Sequence, residues 1–275
     1  MNRVFSLRTL LPQSDTRENH NSMKNTLLST VRSLGSCVFL ATLLATGPSA
    51  SADVIVFDDF SLNGTTRVAG GDLSGTSPTI GSNTWVANGS TVFSSAGSIV
   101  AAANNTENIV GKIAIADLQS YVQVEANIVT GSSEWMAVGL QSSTADDWFS
   151  SQIFVLLTPG GAVHLFGPNT TSLMITTVPN FDSAASYKLT LKYDYTSQSA
   201  SVWVNDTPTI AATPLTLTSS IGSAGFYGHV ITDASIPSVD NFTVTSVPEV
   251  GPLPSVLLGV ALLVSIQLMR RQRTA

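Results

Sequence analysis

Cysteine is nearly absent from this 275-residue chain, and its one cysteine, Cys37, lies near the N-terminus. Disulfide bonds and cysteine-based zinc sites are therefore excluded for the rest of the chain. Charged residues make up only 11% of the sequence, and the formal net charge is −6. The chain has no cluster of lysine and arginine of the kind that neutralises phosphates, so we expect no nucleic-acid partner.

Strong helix-forming patterns are also scarce in the central part of the chain. Serine, threonine, asparagine, glycine and β-branched residues dominate there, a composition that favours strands and turns. Residues 53–246 are predicted to form one domain, large enough for a single β-sandwich with its own core. The domain has fifteen acidic residues and only four basic ones, which are Arg67, Lys112, Lys188 and Lys192.

The N-terminal region has the three parts of a secretory signal peptide. A basic segment, an apolar stretch over residues 34–46 and the small residues Ala50 and Ala52 follow one another. The apolar stretch is too short to span a bilayer comfortably, and the two alanines suit signal peptidase. Residues 23–52 are therefore predicted to be cleaved after Ala52, with an uncleaved anchor or a buried helix as the alternative. Residues 1–22 are polar and aperiodic, which indicates a disordered, over-extended start.

The C-terminal region has the pattern of a membrane-spanning helix. Residues 253–269 contain no charge and are just long enough to span the hydrocarbon core. Three arginines follow this stretch and should keep the C-terminus in the cytoplasm, with the domain outside: Arg270, Arg271 and Arg273.

Pro248 and Glu249 precede that apolar stretch. The order Pro-Glu, apolar helix and terminal arginines over residues 247–275 resembles the PEP-CTERM sorting signal of bacterial exosortase substrates. The resemblance implies that an exosortase-type enzyme processes the chain and delivers it to the envelope or releases it. Val250 stands where that family has a second proline. A plain single-pass anchor is the alternative.

Short apolar and polar alternations separated by turn residues predict strands throughout the domain. Tyr121–Val129 places alternate residues on a buried and a wet face. Ile153–Leu157 and residues 162–166 flank a Pro-Gly-Gly turn and predict a hairpin, as do residues 187–195 and 200–205. This pattern predicts an all-β fold, a two-sheet antiparallel sandwich.

The order of several segments resembles the concanavalin A-like, or laminin G-like, jelly rolls. The resemblance implies that the first and last strands pair, which would bring Phe60 and Phe242 into one core and Asp59 near Asp240. Immunoglobulin-like and other sandwiches stay open, because strand spacing does not fix topology. The segments that carry the resemblance are Asp58-Asp59-Phe60, Thr84-Trp85, residues 135–140, 187–191 and 202–205, Gly225-Phe226 and residues 239–242.

Aromatic side chains are the candidate ligand-binding residues, because sugar rings stack their C–H faces on exposed aromatic planes. Trp148 follows two aspartates at a predicted loop-to-strand junction and is the first candidate, with burial of its ring as the alternative; Tyr227 is the second candidate. The three other tryptophans alternate with strand residues and are predicted to be core. His164 alternates with apolar neighbours and is predicted to face the surface.

Acidic residues are the candidate metal ligands, because Ca²⁺ takes oxygen ligands. The candidates are the pairs Asp58-Asp59 and Asp146-Asp147, with Asp240 and Asn241, and Asp59 and Asp240 are the two predicted ligands. Many proteins of the resembled family bind calcium, which implies that ion here. The alternative is that all of these are solvated turn residues.

No catalytic constellation is recognisable in the sequence. Glycoside hydrolysis needs two carboxyl groups across a scissile bond, and the E-x-D-x-E run of the β-glucanase branch is missing. We therefore predict an exported, non-catalytic surface or matrix protein that binds extracellular polysaccharide. A secreted glycan hydrolase or lyase and a purely structural envelope component are the alternatives.

Overall fold

Strands account for the regular structure of the domain in a computed structural model that describes residues 52–102, 108–116, 120–131, 135–145, 147–148, 151–229 and 237–247. Within these ranges there is no α-helix. The fifteen strands are β1 Asp53–Asp58, β2 Val86–Ala87, β3 Thr91–Phe93, β4 Ile99–Ala101, β5 Ile109–Ala114, β6 Tyr121–Val129, β7 Trp135–Gln141, β8 Ile153–Leu157, β9 Ala162–Gly167, β10 Thr171–Thr177, β11 Tyr187–Asp194, β12 Ser199–Val204, β13 Thr207–Pro214, β14 Ser223–His229 and β15 Ser238–Val247.

The strands form two antiparallel sheets that pack face to face. Sheet A has the order β13-β12-β11-β6-β15-β4-β3, with β1 also paired to β15. Sheet B has the order β10-β9-β8-β7-β14-β5-β2. One hydrophobic core draws buried residues from the inner faces of both sheets. The prediction of an all-β, two-sheet antiparallel sandwich is confirmed.

Alternation along the strands sets which side chains enter this core. In β6 the residues Val122, Val124, Ala126 and Ile128 are buried, and the residues between them are half-buried on the outer face. The β8–β9 hairpin turns at residues 158–161, where Gly161 has a φ of 77° and donates its amide to the carbonyl of Thr158. Both hairpins predicted from the sequence are present.

The first and last strands are paired. β15 lies in the middle of sheet A between β6 and β1, and Asp58 is opposite Phe242 in the register of β1. Phe60 and Phe242 both lie in the core and both contact Trp85, with ring centroids 5.7 and 5.1 Å away. The chain needs its C-terminal strand to complete the centre of sheet A.

The predictions for the two ends of the chain fall outside the described residues. They concern the signal segment up to Ser51, the Pro248-Glu249 pair, the apolar stretch and the terminal arginines. Ala52 is described and lies exposed directly before β1. Over the described ranges, no helix is long and apolar enough to cross a membrane.

Candidate functional site

The outer faces of the two sheets differ in chemistry. On sheet A the outer face is polar: Glu125 accepts hydrogen bonds from Gln123 at 3.2 Å and Thr190 at 3.4 Å, and the ammonium of Lys192 lies 3.8 Å from the ring centroid of Tyr121. On sheet B the outer face carries a second hydrophobic cluster, separate from the core. Its members are Ala137, Trp148, Phe154 and Tyr227, with Val110, Trp135, Leu156 and Phe166 packed against them.

Rings stack in a continuous series on this outer face of sheet B. Trp135 of β7 lies between Tyr227 and His229 of β14, with centroid distances of 5.0 and 5.7 Å and interplanar angles of 21° and 5°. The alternation of β7 and β14 produces this arrangement, because Trp135 is directly opposite His229 in the register. These aromatic planes are nearly parallel.

The series continues onto the neighbouring strands β8 and β9. Phe154 stacks on Phe166 at 4.7 Å and 13°, and His164 stacks on Phe166 at 6.0 Å and 7°. Trp148 links the two halves, with its ring 5.6 Å from that of Tyr227 and 6.1 Å from that of Phe154. We call the whole series the aromatic row; it comprises His164, Phe166, Phe154, Trp148, Tyr227, Trp135 and His229.

Trp148 reaches the aromatic row from the connection between β7 and β8. Gly139 of β7 leaves room for the indole, since a Cβ atom there would lie 3.2 Å from Cη2 of Trp148. The Nε2 amide of Gln141 donates to the carbonyl of Asp147 at 3.3 Å and holds the connection against the strand. Trp148 therefore packs flat on the sheet.

The two aromatic residues predicted to bind a ligand are buried in this structure. Trp148 is 1% exposed and Tyr227 is 4% exposed, because each is covered by other members of the aromatic row. Burial, with the nearby charge of Asp147, raises the pKa of the Tyr227 phenol. Both side chains are buried members of the stacked row and offer no open face to a ligand, which corrects the prediction for Tyr227 and selects the alternative of burial for Trp148.

The half-exposed members of the aromatic row are Trp135, Phe166, His164 and His229. The sequence analysis assigned Trp135 to the core together with Trp85 and Trp203. Trp85 is in the core, whereas Trp135 and Trp203 lie half-buried on the outer faces of sheets B and A. The signal that identifies Trp135 is its register, because Met136, Val138 and Leu140 occupy the inward positions of β7. His164 lies on the outer face, as its alternation indicated.

Asp59 and Asp240, the two predicted metal ligands, line one pocket of about 390 Å³. Asp59 accepts hydrogen bonds from the backbone amide and the hydroxyl of Ser61 and from the hydroxyl of Thr79. These bonds, above all the one from the Ser61 hydroxyl, lower the pKa of Asp59 below its usual value. Burial raises the pKa of Asp240, and the charges of Asp59 and Asp58 act in the same direction.

Asp58 has a structural role rather than that of a metal ligand, which corrects its grouping with Asp59. It is fully buried, and its two oxygens accept from the guanidinium of Arg67 at 2.7 and 2.8 Å. The Trp85 indole and the Phe60 amide donate to the same carboxylate, at 2.7 and 2.9 Å. Both of its oxygens are thereby satisfied.

Calcium takes six to eight oxygen ligands. The pocket offers the carboxylates of Asp59 and Asp240 and the amide of Asn241, and further ligands would have to be carbonyl and water oxygens. In the part of the chain that the structure describes, no group of three or more His, Cys, Asp or Glu residues is placed to hold a metal ion. These side chains alone do not complete a calcium site, so calcium binding stays a prediction.

Carboxylates are missing from the strands that carry the aromatic row. None of the seven strands of sheet B contains aspartate or glutamate. Glycoside hydrolysis by the usual route requires an acid and a second carboxylate close to the bound sugar. The strands of this face therefore supply a stacking surface without the pair of acids that hydrolysis needs.

No protein-family model matches the chain, and no curated protein matches it. Several solved structures are similar in backbone shape. A carbohydrate-binding module, CBM66, from Bacillus subtilis is 15% identical, with a TM-score of 0.45, over 59% of this chain and 95% of that one. A Bacillus subtilis protein of unknown function with a galectin-like fold is 9% identical, with a TM-score of 0.48, over 73% and 99%. Lectin II from Ulex europaeus is 12% identical, with a TM-score of 0.45, over 72% and 100%. At these identities and scores, the likenesses do not assign the chain to a family.

Proposed function

We propose that this chain is an exported, non-catalytic carbohydrate-binding protein that binds polysaccharide on the outer face of sheet B. The observation that carries the proposal is the aromatic row, in which Trp135 and Phe166 stay partly exposed although each is stacked against two neighbouring rings. The exposed edges of these stacked rings form an apolar strip on a rigid sheet, which is suited to pack against the C–H faces of sugar rings.

The shape of the row favours a chain of sugars over a single one. It crosses four neighbouring strands, from β9 through β8 and β7 to β14. Neighbouring strands are spaced by about 4.8 Å, so the row extends over roughly 14 Å. That length accommodates more than one sugar ring, and the sheet holds the stacking planes in place before the ligand arrives.

The enzyme and scaffold alternatives have less support. An enzyme of the usual glycosidase type needs two acids at the bound sugar; the strands that carry the aromatic row contain none, and Asp147 is the one described acid whose charge acts on a member of the row. A scaffold without a ligand has no need of a cluster of partly exposed rings, and the outer face of sheet A carries Trp203 among polar residues without such a cluster.

We extend the proposal to the fold family and to export. The pairing of β1 with β15 supports a concanavalin A-like jelly roll. The sequence pattern supports removal of residues 23–52 by signal peptidase and recognition of residues 247–275 by an exosortase-type enzyme, which would place the domain in the envelope or outside the cell.

The mass of the mature protein tests the export proposal. An N-terminus at Asp53 and loss of the apolar C-terminal stretch are expected. Retention of residues 253–273 would show ordinary anchoring, and retention of the N-terminal segment would contradict export through a cleaved signal.

A glycan array followed by two matched tryptophan variants tests the binding proposal. Trp135→Ala is expected to lower the affinity for the polysaccharide that binds best by roughly fivefold or more, since an aromatic contact contributes about 1 kcal/mol or more. Trp203→Ala is the control, because Trp203 is equally half-buried on the outer face of sheet A. Equal losses in the two variants, or no binding to any glycan, would contradict the proposal.

A further inference from the structure

One sheet edge in this molecule is left unprotected. Sheet A ends at β13 and β3, and β1 is a further edge beside β15; sheet B ends at β10 and β2. β1 begins with the charged Asp53, has a register irregularity near its start and is bridged at Phe57 by Ile80. β2 and β3 have only two and three residues. β13 contains Pro208 and Pro214, and its pairing with β12 has two irregularities. Short strands, prolines and irregular pairing are the devices that keep sheet edges from pairing with other chains.

β10 is long and has weaker protection. It has seven residues, about 23 Å of strand, with one register shift near its start and regular pairing to β9 from Met174 to Thr177. Met174 and Ile175 are 46% and 57% exposed. No charged residue and no proline occurs within β10, and no charge occurs from Pro168 to Phe181. An exposed, apolar and uncharged edge strand is a template for pairing.

We propose that two copies of this chain associate by pairing their β10 strands antiparallel about a two-fold axis. A second copy fits this edge because an uncharged strand can meet itself without like charges in contact, although the chain as a whole carries a net charge of −6. The axis stands perpendicular to the sheet, so the two seven-stranded sheets B join into one continuous sheet.

The association has a consequence for binding, and this consequence rests on the proposed function. Ile175 is opposite His164, so β10 directly borders the aromatic row on the outer face. A perpendicular two-fold axis places both outer faces of sheet B on the same side. The dimer thereby presents two aromatic rows to one polysaccharide, and binding through both raises the apparent affinity without new contacts.

Sedimentation velocity of the full chain in detergent tests the pairing. The wild type is expected to be a dimer, and the double variant Met174→Lys/Ile175→Lys a monomer, because lysine on an edge strand blocks pairing. Ala211→Lys/Ala212→Lys is the matched control, with two exposed residues on the other long edge, β13. Thermal melting checks that each variant folds. A monomeric wild type at high concentration, or a dimeric β10 variant, would overturn the proposal.

Cross-linking reports the contact directly and independently of stability. With Cys37 replaced by serine, Ile175→Cys is expected to give a dimer with a short bismaleimide, and Ala211→Cys is not. A product of any other mass from Ile175→Cys would show that the edge takes a different partner and would reject the second copy.

Glycan binding separates the two proposals. The monomeric β10 variant is expected to lose about 10²-fold in apparent affinity for immobilised polysaccharide and to keep its affinity for a short oligosaccharide. A wild-type dimer that binds no glycan would reject the proposed function and leave the pairing intact.

Discussion

Asp58 and Arg67 form a buried ion pair in which both carboxylate oxygens accept from the guanidinium, at 2.7 and 2.8 Å. Arg67 also donates to the carbonyl of Ser77, and Asp58 accepts from the Trp85 indole. The pair thus ties the end of β1 to the loop that follows it and to the aromatic core. Because both groups are buried and hydrogen-bonded to each other, removing one of them would leave an unpaired charge in the core and lower the free energy of unfolding.

Arg67→Met is expected to destabilise the domain by about 3–5 kcal/mol, because it leaves the Asp58 carboxylate buried without its counter-ion. Denaturant unfolding measures this free energy. The control is Lys188→Met, whose ion pair with Asp206 is largely exposed and should contribute less than about 1 kcal/mol. Equal effects of the two substitutions would contradict the structural role of Asp58.

Gly139→Ala is expected to destabilise the domain by about 1–3 kcal/mol and to displace Trp148. The added Cβ would lie 2.7 Å from Cβ of Phe154 and 3.2 Å from Trp148. Gly89→Ala serves as the control, since a Cβ at Gly89 meets nothing within 4 Å. Unfolding and tryptophan fluorescence are the measurements, and a Gly139→Ala protein with unchanged values would show that the indole does not pack on the glycine.

The carboxylates of Asp240 and Asp59 are expected to act on stability with opposite signs. The pKa of Asp240 is raised above its usual value of 3.8, so its contribution to stability is fully present below pH 3.8 and is lost as the pH rises through the folded-state pKa. Asp240→Asn should therefore raise the melting temperature at pH 7 relative to the wild type, and the difference should vanish below pH 3.8.

The pKa of Asp59 is lowered, so its contribution is present above pH 3.8 and is lost as the pH falls through the folded-state pKa. Asp59→Asn should lower the melting temperature at pH 7 and have little effect in acid. Melting curves of both variants from pH 3 to pH 7 check the signs, and a stabilising Asp59→Asn at pH 7 would contradict the assignment.

Calcium binding in the pocket between Asp59 and Asp240 can be tested through thermal stability. A cation there would offset the cost of ionising Asp240, and binding to the folded state alone raises the melting temperature. Millimolar Ca²⁺ should then stabilise the wild type but neither Asp59→Asn nor Asp240→Asn. If neither Ca²⁺ nor a chelator changes the melting temperature of the wild type, the calcium prediction is wrong.

The sequence was sufficient to predict much of the fold. Alternation in β6 and the turn residues between β8 and β9 are local signals, and both led to the observed strands. The first strand ends at Asp58 although its apolar and polar pattern continues to Phe60, which has a φ of 51°. There the Asp58 carboxylate accepts a hydrogen bond from the backbone amide of Phe60, and this local bond takes the place of a bond to a neighbouring strand.

The candidate site was harder to predict because it depends on packing between distant segments. The residues beside Trp148 did not decide between exposure and burial, because the space that its ring occupies is left by Gly139 in another segment of the chain. Trp135 looked like core because aromatic residues in strands usually pack inward. Its partners Tyr227 and His229 are about 90 residues away, so only the β7–β14 register reveals the stack.

The indole N–H signals of the four tryptophans in an NMR titration with polysaccharide test the central claim most directly. Binding on the outer face of sheet B predicts that the Trp135 signal shifts strongly, with a smaller shift for the buried Trp148 and none for Trp203 or Trp85. A shift of Trp203 alone, or of no tryptophan at saturating ligand, would contradict the account.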